Sequence, residues 1–561
     1  MTTAVPVASL RFFDFAAKRR YAPRGIAVLA VALIAVACSC DGSGSASGSL
    51  APGVQTTIET TPPQTNADEP SSNLVSVSTT AVTTAPPSST TLGSDTANDP
   101  GDEPKRDCSP RPLTDFSLLG SRAASLSLQI SRAMFDCADE VALAPQGDSA
   151  AIATLISAGV RGPLLLADYW RSSPVLTELR RLTPDRVVTA GVDPQIIADH
   201  LSGLNVEVIA VDPQATLTAS QPAGDKVWLV DEQGHVPALT ALGRQVGVTV
   251  VPSGDDLRSL DEESRAILAE ASEVMVLNGL GGDDIDWQLA VVKKGLELPG
   301  GGQLLFDPDR PRRLVAMYGH PVTSALGVLG EQSPEAGVER LKSIAAGYDA
   351  DGATVVPTFE IIATVASASA GADGDYSSVT DPDVIRPWVE TAAANDVYVV
   401  LDLQPGRSSF VQQVQKYEEF LKLPHVGLAL DPEWRLKPNQ VHLRQIGRVH
   451  ADEVNQVIDW LAELVRRESL PQKLLILHQF RHSMITERER VETPPELAVL
   501  IHMDGQGGLG AKYNTWESLT SRPDAEKFYW GWKNFYDEDS PVATPDQVLA
   551  LEPDVLFVSF Q

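Results

Sequence analysis

The second half of the chain alternates short, continuously apolar runs with segments whose apolar residues recur at helical spacing. Such runs are typical of strands buried on both faces, as in parallel sheets. The intervening segments begin with helix-capping residues, such as Ser333 before Pro334 and Thr544 before Pro545. Eight strand–helix units in roughly 250 residues are the size of a (β/α)8 (TIM) barrel, expected here over residues 309–561 without its last helix. From Arg313 onward the runs are RLVAMYGHP, TVVPTFE, VYVVLDLQPG, VGLALDPEW, KLLILHQF, LAVLIHMDGQG, KFYWGWKNF and DVLFVSFQ.

Residues 108–308 show a shorter alternation that repeats. Strand-like runs EVALAP, PLLLAD, DRVVTAGVD and VEVIAVD are separated by the helical segments SAAIATLISAG and SPVLTELRRL. The same order of elements recurs from Lys226 onward, beginning with KVWLVDEQGHVPALTALGRQ. A repeated βαβ pattern predicts a parallel sheet with helices packed around it. The fold class is therefore α/β, with a repeat domain preceding the barrel.

The first 107 residues carry targeting and tethering signals instead of a core. Basic residues precede an apolar run from Ile26 to Ala37, which is short for a membrane span and suits a signal peptide over residues 1–37. Residues 38–107 are rich in Ser, Thr, Pro and Gly, so we expect a disordered, extended tether. Such a tether would hold a folded domain clear of a membrane.

The cysteines refine this picture of an exported chain. AVAC resembles the lipobox of bacterial lipoproteins, which implies lipidation of Cys38 and anchoring to the outer face of the plasma membrane. Cys40 is a rival site, and a plain secretory signal is the alternative. The remaining pair, Cys108 and Cys137, is expected to form a disulfide, the alternative being two free buried thiols.

Composition limits the partners. The hydrophobic content of 43% is that of a globular chain. The formal net charge of −30 argues against a nucleic-acid partner, because binding to phosphates rests on clustered Lys and Arg.

The repeat domain has motifs that point to the cell wall. GPLLLAD, LTELRRL and DRVVTAG match the strand, helix and strand of the type 2 cell-wall-binding repeats of Gram-positive surface proteins, which this half of the chain resembles. Their acidic element appears only as SAAIATL and VPALTAL. The resemblance implies cell-wall binding, and a structural spacer is the alternative.

Titratable residues stand at nearly every predicted strand end of the barrel. Barrel enzymes place their chemistry at these carboxyl ends, so the convergence predicts an active site. In chain order the candidates are His320, Glu360, Asp402, Asp431 with Glu433, His478, His502 with Asp504, and Trp530, Trp532 and Lys533.

The fourth strand end carries two carboxyl groups one residue apart. In extended backbone Asp431 and Glu433 point to the same side, and each raises the pKa of the other. The stretch GLALDPEW resembles the strand-four end of family 18 chitinases, with Ala429 in place of an earlier acid. The structural alternative is a strand end neutralised by Arg435, Arg444 or the amides of a helix N-terminus.

The resemblance to family 18 chitinases implies a glycoside hydrolase with Glu433 as the general acid and Asp431 orienting the substrate. Asp504, Asp402 or Glu360 would supply the nucleophile, base or stabiliser. The substrate would be a cell-envelope polysaccharide, and no cofactor is required. The residues expected to bind it are His320, His478, His502, Lys533 and, by stacking on sugars, Trp434, Trp530 and Trp532.

Two other functions remain open. His320, Glu360, Asp402, His478, His502 and Asp504 would be enough ligands for a divalent metal, although neither HxH nor HExxH occurs. A metal-dependent hydrolase is one alternative. A non-catalytic glycan-binding surface protein is the other, and in that case the carboxylates would hydrogen-bond sugar hydroxyls.

Overall fold

The computed structural model describes residues 106–111, 122–170, 173–213, 224–277, 280, 284–349 and 352–561. The predicted signal peptide, the predicted lipidation site Cys38 with its rival Cys40, and nearly all of the predicted tether lie outside the described residues. Within these ranges no helix combines the length and the apolar character that a membrane crossing requires. A disulfide joins Cys108 to Cys137, whose Cα atoms are 5.0 Å apart.

The segment before the barrel is an α/β unit with two parallel sheets. The first sheet has the strand order β2-β1-β3-β4 and the second β6-β5-β7. The predicted repeat of βαβ units is present, but it forms two separate sheets instead of one. The elements are α1 Ala123–Met134, β1 Glu140–Pro145, α2 Ser149–Ser157, β2 Leu164–Ala167, α3 Pro174–Leu182, β3 Arg186–Ala190, α4 Pro194–His200, β4 Glu207–Val211, β5 Lys226–Asp231, α5 Val236–Val246, β6 Val248–Ser253, α6 Glu262–Glu270, β7 Glu273–Val276 and α7 Ile285–Lys294.

The predicted barrel is confirmed. Eight parallel strands follow the order β9-β11-β12-β14-β16-β17-β18-β8, and pairing of β8 with β9 closes the sheet. The elements are β8 Arg312–Gly319, α8 Pro334–Ala345, β9 Thr354–Ala366, β10 Ser377–Val379, α9 Pro382–Ala394, β11 Tyr398–Leu403, α10 Phe410–Val414, α11 Glu418–Leu421, β12 Val426–Leu430, β13 Val449–His450, α12 Ala451–Arg467, β14 Lys473–His478, β15 Ile485–Thr486, β16 Leu497–Met503, α13 Leu509–Thr520, β17 Tyr529–Asn534, α14 Pro545–Leu549 and β18 Val555–Phe560.

Aromatic rings pack on the end of β18. Phe560 stacks on Tyr536 with ring centroids 5.5 Å apart. Phe560 also makes an edge contact with Tyr348, with centroids 6.3 Å apart. The outward residues Val558 and Phe560 share one buried cluster with residues of α8 and α14.

The interior of the barrel is apolar at its lower levels. Because successive residues of a strand face opposite sides, every second residue points inward. Inward side chains such as Leu314, Val400 and Leu500 form one buried cluster, which Leu305 and Phe306 of the preceding linker join. The linker therefore plugs the end of the barrel where the strands begin.

The α/β unit also contacts this lower end of the barrel. The ring of Trp287 in α7 lies between two guanidinium groups, 4.6 Å from that of Arg258 and 4.7 Å from that of Arg466. Arg258 in turn donates to the carbonyl of Pro495, just before β16. The described contacts of the α/β unit lie at the lower end of the barrel, and loops surround the upper end, where the strands finish.

A buried ion pair joins the chain between β14 and β16 to the segment that connects α13 with β17. Arg488 is 2% exposed and makes two hydrogen bonds to Asp524, at 2.8 and 2.9 Å. We expect Arg488→Ala to lower the free energy of unfolding by about 3–5 kcal/mol, because Asp524 would keep a buried, unpaired charge. Urea denaturation measures the effect, and the exposed Arg490→Ala serves as control, with an expected change below about 1 kcal/mol. Equal losses in both variants would contradict this account.

Candidate active site at the carboxyl ends of the barrel strands

One polar side chain per strand lies at the upper level of the barrel interior, directly above the apolar layers. Period-two alternation produces this arrangement, since each of these residues follows an inward-facing apolar or small residue by two positions. We call the set the polar ring. All its members are at most 3% exposed: Tyr318, Glu360, Asp402, Asp431, His478, His502, Lys533 and Ser559.

His478 lies at the centre of the polar ring and contacts carboxylates on both sides. Its Nδ1 is 2.8 Å from Oδ2 of Asp504, and its Nε2 is 3.0 Å from Oε1 of Glu360. A third carboxylate oxygen, Oδ1 of Asp402, is 3.8 Å from Nε2. Burial alone lowers the pKa of His478, but the hydrogen bonds to Asp504 and Glu360 outweigh it and raise that pKa well above its usual value.

Tyr318 and Lys533 form a second part of the ring. The Tyr318 hydroxyl donates to Oδ2 of Asp402 at 2.9 Å. Lys533 Nζ lies 3.6 Å from the centroid of the Tyr318 ring and 3.6 Å from Oδ2 of Asp504. Burial, together with the charge of Glu360, raises the pKa of Asp402 to about 6 against the opposing effect of His478. Lys533 therefore supplies the second positive charge beside the carboxylates.

A buried brace fixes the position of Lys533. Lys512 donates to the backbone carbonyl of Lys533 at 2.7 Å and forms an ion pair with Asp539. Asp539 accepts hydrogen bonds from the backbone N–H groups of Gly507, at 2.8 Å, and Phe535, at 3.0 Å. One ion pair thus joins the loop that follows β16 to the end of β17.

Asp431 and Glu433 lie in a tight turn and not in extended backbone. Pro432–Trp434 form one 3-10 turn, and Oδ1 of Asp431 accepts from the backbone N–H of Glu433 at 3.2 Å. The predicted extended geometry is therefore wrong, since Pro432 favours the start of a turn. The side chains still interact, because burial first and then the charge of Glu433 raise the pKa of Asp431 well above its usual value.

Arg435, one of the proposed neutralising partners, pairs with neither Asp431 nor Glu433. Its guanidinium instead pairs with Glu453 of α12 at 2.8 Å and donates to the backbone carbonyl of Leu436 at 2.7 Å. The nearest Arg therefore does not neutralise the carboxyl groups of Asp431 and Glu433.

Glu433 and Asp504 are the carboxyl groups that reach the mouth of the barrel. Glu433 is partly exposed, and the side chain of Asp504 is 8% exposed. Glu360 and Asp402 are fully buried. Burial and the charge of Asp504 raise the pKa of Glu433 to about 7. Burial opposes ionisation of Asp504, but Lys533 and His478 outweigh it and lower its pKa. The two environments favour one protonated and one ionised carboxyl group.

His502 lies beside His478 and is held from the far side. The ring centroids are 4.9 Å apart, and Nε2 of His502 is 3.2 Å from the Ser559 hydroxyl. Burial, the charge of His478 and that of Lys533 lower the pKa of His502 well below its usual value, so its imidazole is neutral. Three residues could bind a metal ion together: Glu360, His478 and His502. Each offers one ligating atom, and these atoms lie within 4.8 Å of one another.

Four residues predicted to bind substrate do not belong to the ring. Trp530 and Trp532 are buried in the outer layer against Trp516 of α13, with centroids 5.7 and 6.0 Å apart. Strand alternation sends them outward because Lys533 points inward. At the rim, Trp434 is half-buried with its ring 5.4 Å from His442, and His320 is half-buried with Nε2 3.2 Å from the Thr380 hydroxyl.

Sequence reasoning missed three polar residues of this site. They are Tyr318 and Ser559 of the ring, and Gln404, whose side-chain amide is 3.3 Å from the Tyr318 hydroxyl. The signal was available, because Tyr318 and Ser559 each fall two positions after an inward-facing residue of their strands. The prediction instead took His320, the titratable residue at the end of the first apolar run, two residues after Tyr318.

The fold and the ring define a (β/α)8 barrel protein with an acidic, imidazole-containing upper end. No family model matches the sequence, and no curated protein matches it. Among solved structures, Cwp6 from Clostridium difficile is 12% identical, with 55% of this chain and 60% of that chain covered and a TM-score of 0.16. The radical S-adenosylmethionine methyltransferase TsrM from Kitasatospora setae is 10% identical, with 61% and 69% covered and a TM-score of 0.15. Neither similarity bears on function at these scores.

Proposed function

We propose that this protein is an exported glycoside hydrolase that cleaves a cell-envelope polysaccharide, with Glu433 as general acid and Asp504 as the partner carboxylate. The observation that carries the proposal is that these two carboxyl groups reach the mouth with pKa values shifted in opposite directions, above a ring that buries the other acids of the site. Six sequence-predicted residues of the ring, one per strand, support the same conclusion: Glu360, Asp402, Asp431, His478, His502 and Lys533.

Glu433 would protonate the glycosidic oxygen as its bond to the anomeric carbon breaks. The leaving sugar departs as an alcohol, and positive charge develops at the anomeric carbon and ring oxygen. Asp504, held by His478 and Lys533, offers a fixed negative charge to that carbon. Water then supplies a hydroxyl group to the anomeric carbon, and its proton returns to a carboxylate, so that the enzyme ends as it began.

The remaining ring residues would position this pair without touching the reacting atoms. Glu360 fixes the His478 ring, and Tyr318 fixes Asp402. Asp431 holds the backbone of Glu433 through its hydrogen bond to the amide N–H. These contacts restrict the side chains before substrate arrives, which is where much of the rate gain of enzymes originates.

The proposal includes cell-surface location. The signal-peptide pattern, the lipobox resemblance at Cys38 and the wall-repeat resemblance of the α/β unit support an anchored protein that faces the wall. Contacts of Arg258 and Trp287 hold this unit at the lower end of the barrel. Wall binding through the α/β unit would leave the upper end open to polysaccharide.

The test is the release of reducing ends from purified peptidoglycan and wall polysaccharides by the full exported chain. We expect new reducing ends that increase with time and protein concentration. Binding to these polymers without reducing ends would support the glycan-binding alternative. If the protein neither binds these polymers nor releases reducing ends from them, the proposal is overturned.

Metal-dependent hydrolysis is the second candidate, and the Glu360, His478 and His502 cluster is the observation that favours it. Here a divalent ion would activate the attacking water. Activity lost in EDTA and restored by Zn2+ would select this class. Activity unchanged by EDTA would select acid catalysis by Glu433.

The pH profile gives a further prediction. Only protonated Glu433 can donate a proton, so hydrolysis should fall as the pH rises through about 7, the value to which burial and Asp504 raise its pKa. The measurement is kcat/KM across this range, with polysaccharide affinity at each pH as the control. A rate that instead rises through neutral pH would contradict the assignment of Glu433 as the acid.

A further inference from the structure

Three buried polar atoms in the floor of the ring have no hydrogen-bond partner among the described residues. They are Oε2 of Glu360, Oδ1 of Asp402 and Nδ1 of His502. Their side chains are 0% exposed to bulk solvent. Buried polar atoms left unpaired are costly and uncommon, and each calls for an explanation such as an ion.

Two of these residues, Glu360 and His502, form a cluster with His478. Glu360, His478 and His502 each offer a ligating atom, all within 4.8 Å of one another. Oδ1 of Asp402 lies 3.8 Å from Nε2 of His478, on the same side as Glu360. We propose that this floor is a binding site for a first-row transition-metal dication, with Glu360, His478 and His502 as ligands and Asp402 as the adjacent fourth.

The outer contacts of these residues match those of metal ligands. Metal-binding imidazoles bind the ion through one nitrogen, while the other is hydrogen-bonded to a carboxylate, a carbonyl or water. Nδ1 of His478 contacts Asp504, and Nε2 of His502 contacts the Ser559 hydroxyl. The Tyr318 hydroxyl occupies Oδ2 of Asp402 and leaves Oδ1 facing the cluster. Asp402 and His502 are thus each held through one atom and keep the other unpaired. Nε2 of His478 is hydrogen-bonded to Oε1 of Glu360, so a bound ion would take the place of that contact and of its proton.

The donor set indicates which ions would bind. Two imidazoles with two carboxylates suit Zn2+, Mn2+ or Fe2+, whereas Mg2+ and Ca2+ prefer oxygen ligands throughout. A dication would also balance Glu360 and Asp402, two acids in a space without exposure. This is the cluster that favours metal-dependent hydrolysis, and the inference adds Asp402 and the class of ion. It does not rest on hydrolysis of either kind, because ion binding can be measured in the absence of any substrate.

The test is Zn2+ binding by untagged, full-length exported protein, followed by dialysis and elemental analysis by mass spectrometry. We expect about one Zn2+ per chain. Glu360→Gln and His502→Gln should each weaken binding at least about tenfold, since each removes a ligand. His482→Gln is the matched control, because this His contacts Ser518 at the surface and should leave Zn2+ binding unchanged. Wild-type protein that retains no more Zn2+ than Glu360→Gln would overturn the proposal.

Thermal unfolding of the wild-type protein keeps the test valid if a variant fails to fold. Tm should rise with Zn2+ and stay unchanged with Mg2+, because an ion bound only to the native state stabilises it. A Tm insensitive to Zn2+ would also overturn the site. Hydrolysis is measured separately, as the release of reducing ends. A failure of the metal-site proposal can therefore be distinguished from a failure of the proposed hydrolysis.

Discussion

Glu433→Gln is expected to reduce polysaccharide hydrolysis by about 10²–10⁴-fold, the usual contribution of a positioned general acid. Gln keeps the shape of the side chain and its place in the 3-10 turn, but it has no proton to donate to a leaving group. Affinity for the polysaccharide should remain within a factor of about three, because the substitution leaves the mouth intact. Reducing-end kinetics and a binding isotherm on the same polymer measure the two effects.

The matched control for this substitution is Glu463→Gln, an exposed carboxyl in α12. It carries the same chemical change far from the ring and should leave both measurements unchanged. Full activity in Glu433→Gln would remove Glu433 from the reaction. Loss of binding together with activity would make Glu433 a recognition residue, as in a glycan-binding protein.

Asp504→Asn should lower hydrolysis by on the order of 10²-fold or more, since both carboxyl groups of a glycosidase act in the transition state. Asn retains a hydrogen-bond acceptor for His478 but gives up the charge that faces Lys533. We also expect a loss of about 1–3 kcal/mol in the free energy of unfolding, because those cations lose a buried partner. Rates are therefore measured well below Tm and normalised to folded protein.

The control for Asp504 is Asp537→Asn, an exposed residue in the loop after β17. It should change neither hydrolysis nor stability. If Asp504→Asn kept wild-type activity at an equal folded fraction, another acid would have to act as the partner carboxylate of Glu433. Asp402→Asn would then be the next variant, because Asp402 lies in the same ring.

Much of the barrel could be predicted from the apolar runs, because strands buried on both faces leave a continuous hydrophobic signal. Several ring residues were predicted where an apolar run ends in a titratable group, as at Asp402 and His478. The run that ends at Glu360 belongs to a longer strand, because β9 continues to Ala366. Their complete burial could not be foreseen, since depth depends on the stagger of neighbouring strands around a closed barrel. That depth separates Glu433 and Asp504, which reach the mouth, from the acids beneath them.

The errors have specific physical causes. Trp530 and Trp532 were expected at the mouth because aromatic residues suit sugars, yet the alternation that turns Lys533 inward turns both rings outward. The turn at Pro432 could not be told from a continuing strand by hydrophobicity alone. The division of the α/β unit into two sheets depends on packing between distant helices, which local sequence patterns do not encode.

The Lys512–Asp539 brace has a consequence for how substrate enters. Because it clamps Gly507, Lys533 and Phe535 in one buried unit, the β16 and β17 side of the opening cannot act as a moving flap. Amide protons there should exchange with solvent slowly, close to the rate of global unfolding. If the proposed hydrolysis needs a gating motion, we expect it in the more exposed chain after Trp434, on the β12 side of the opening.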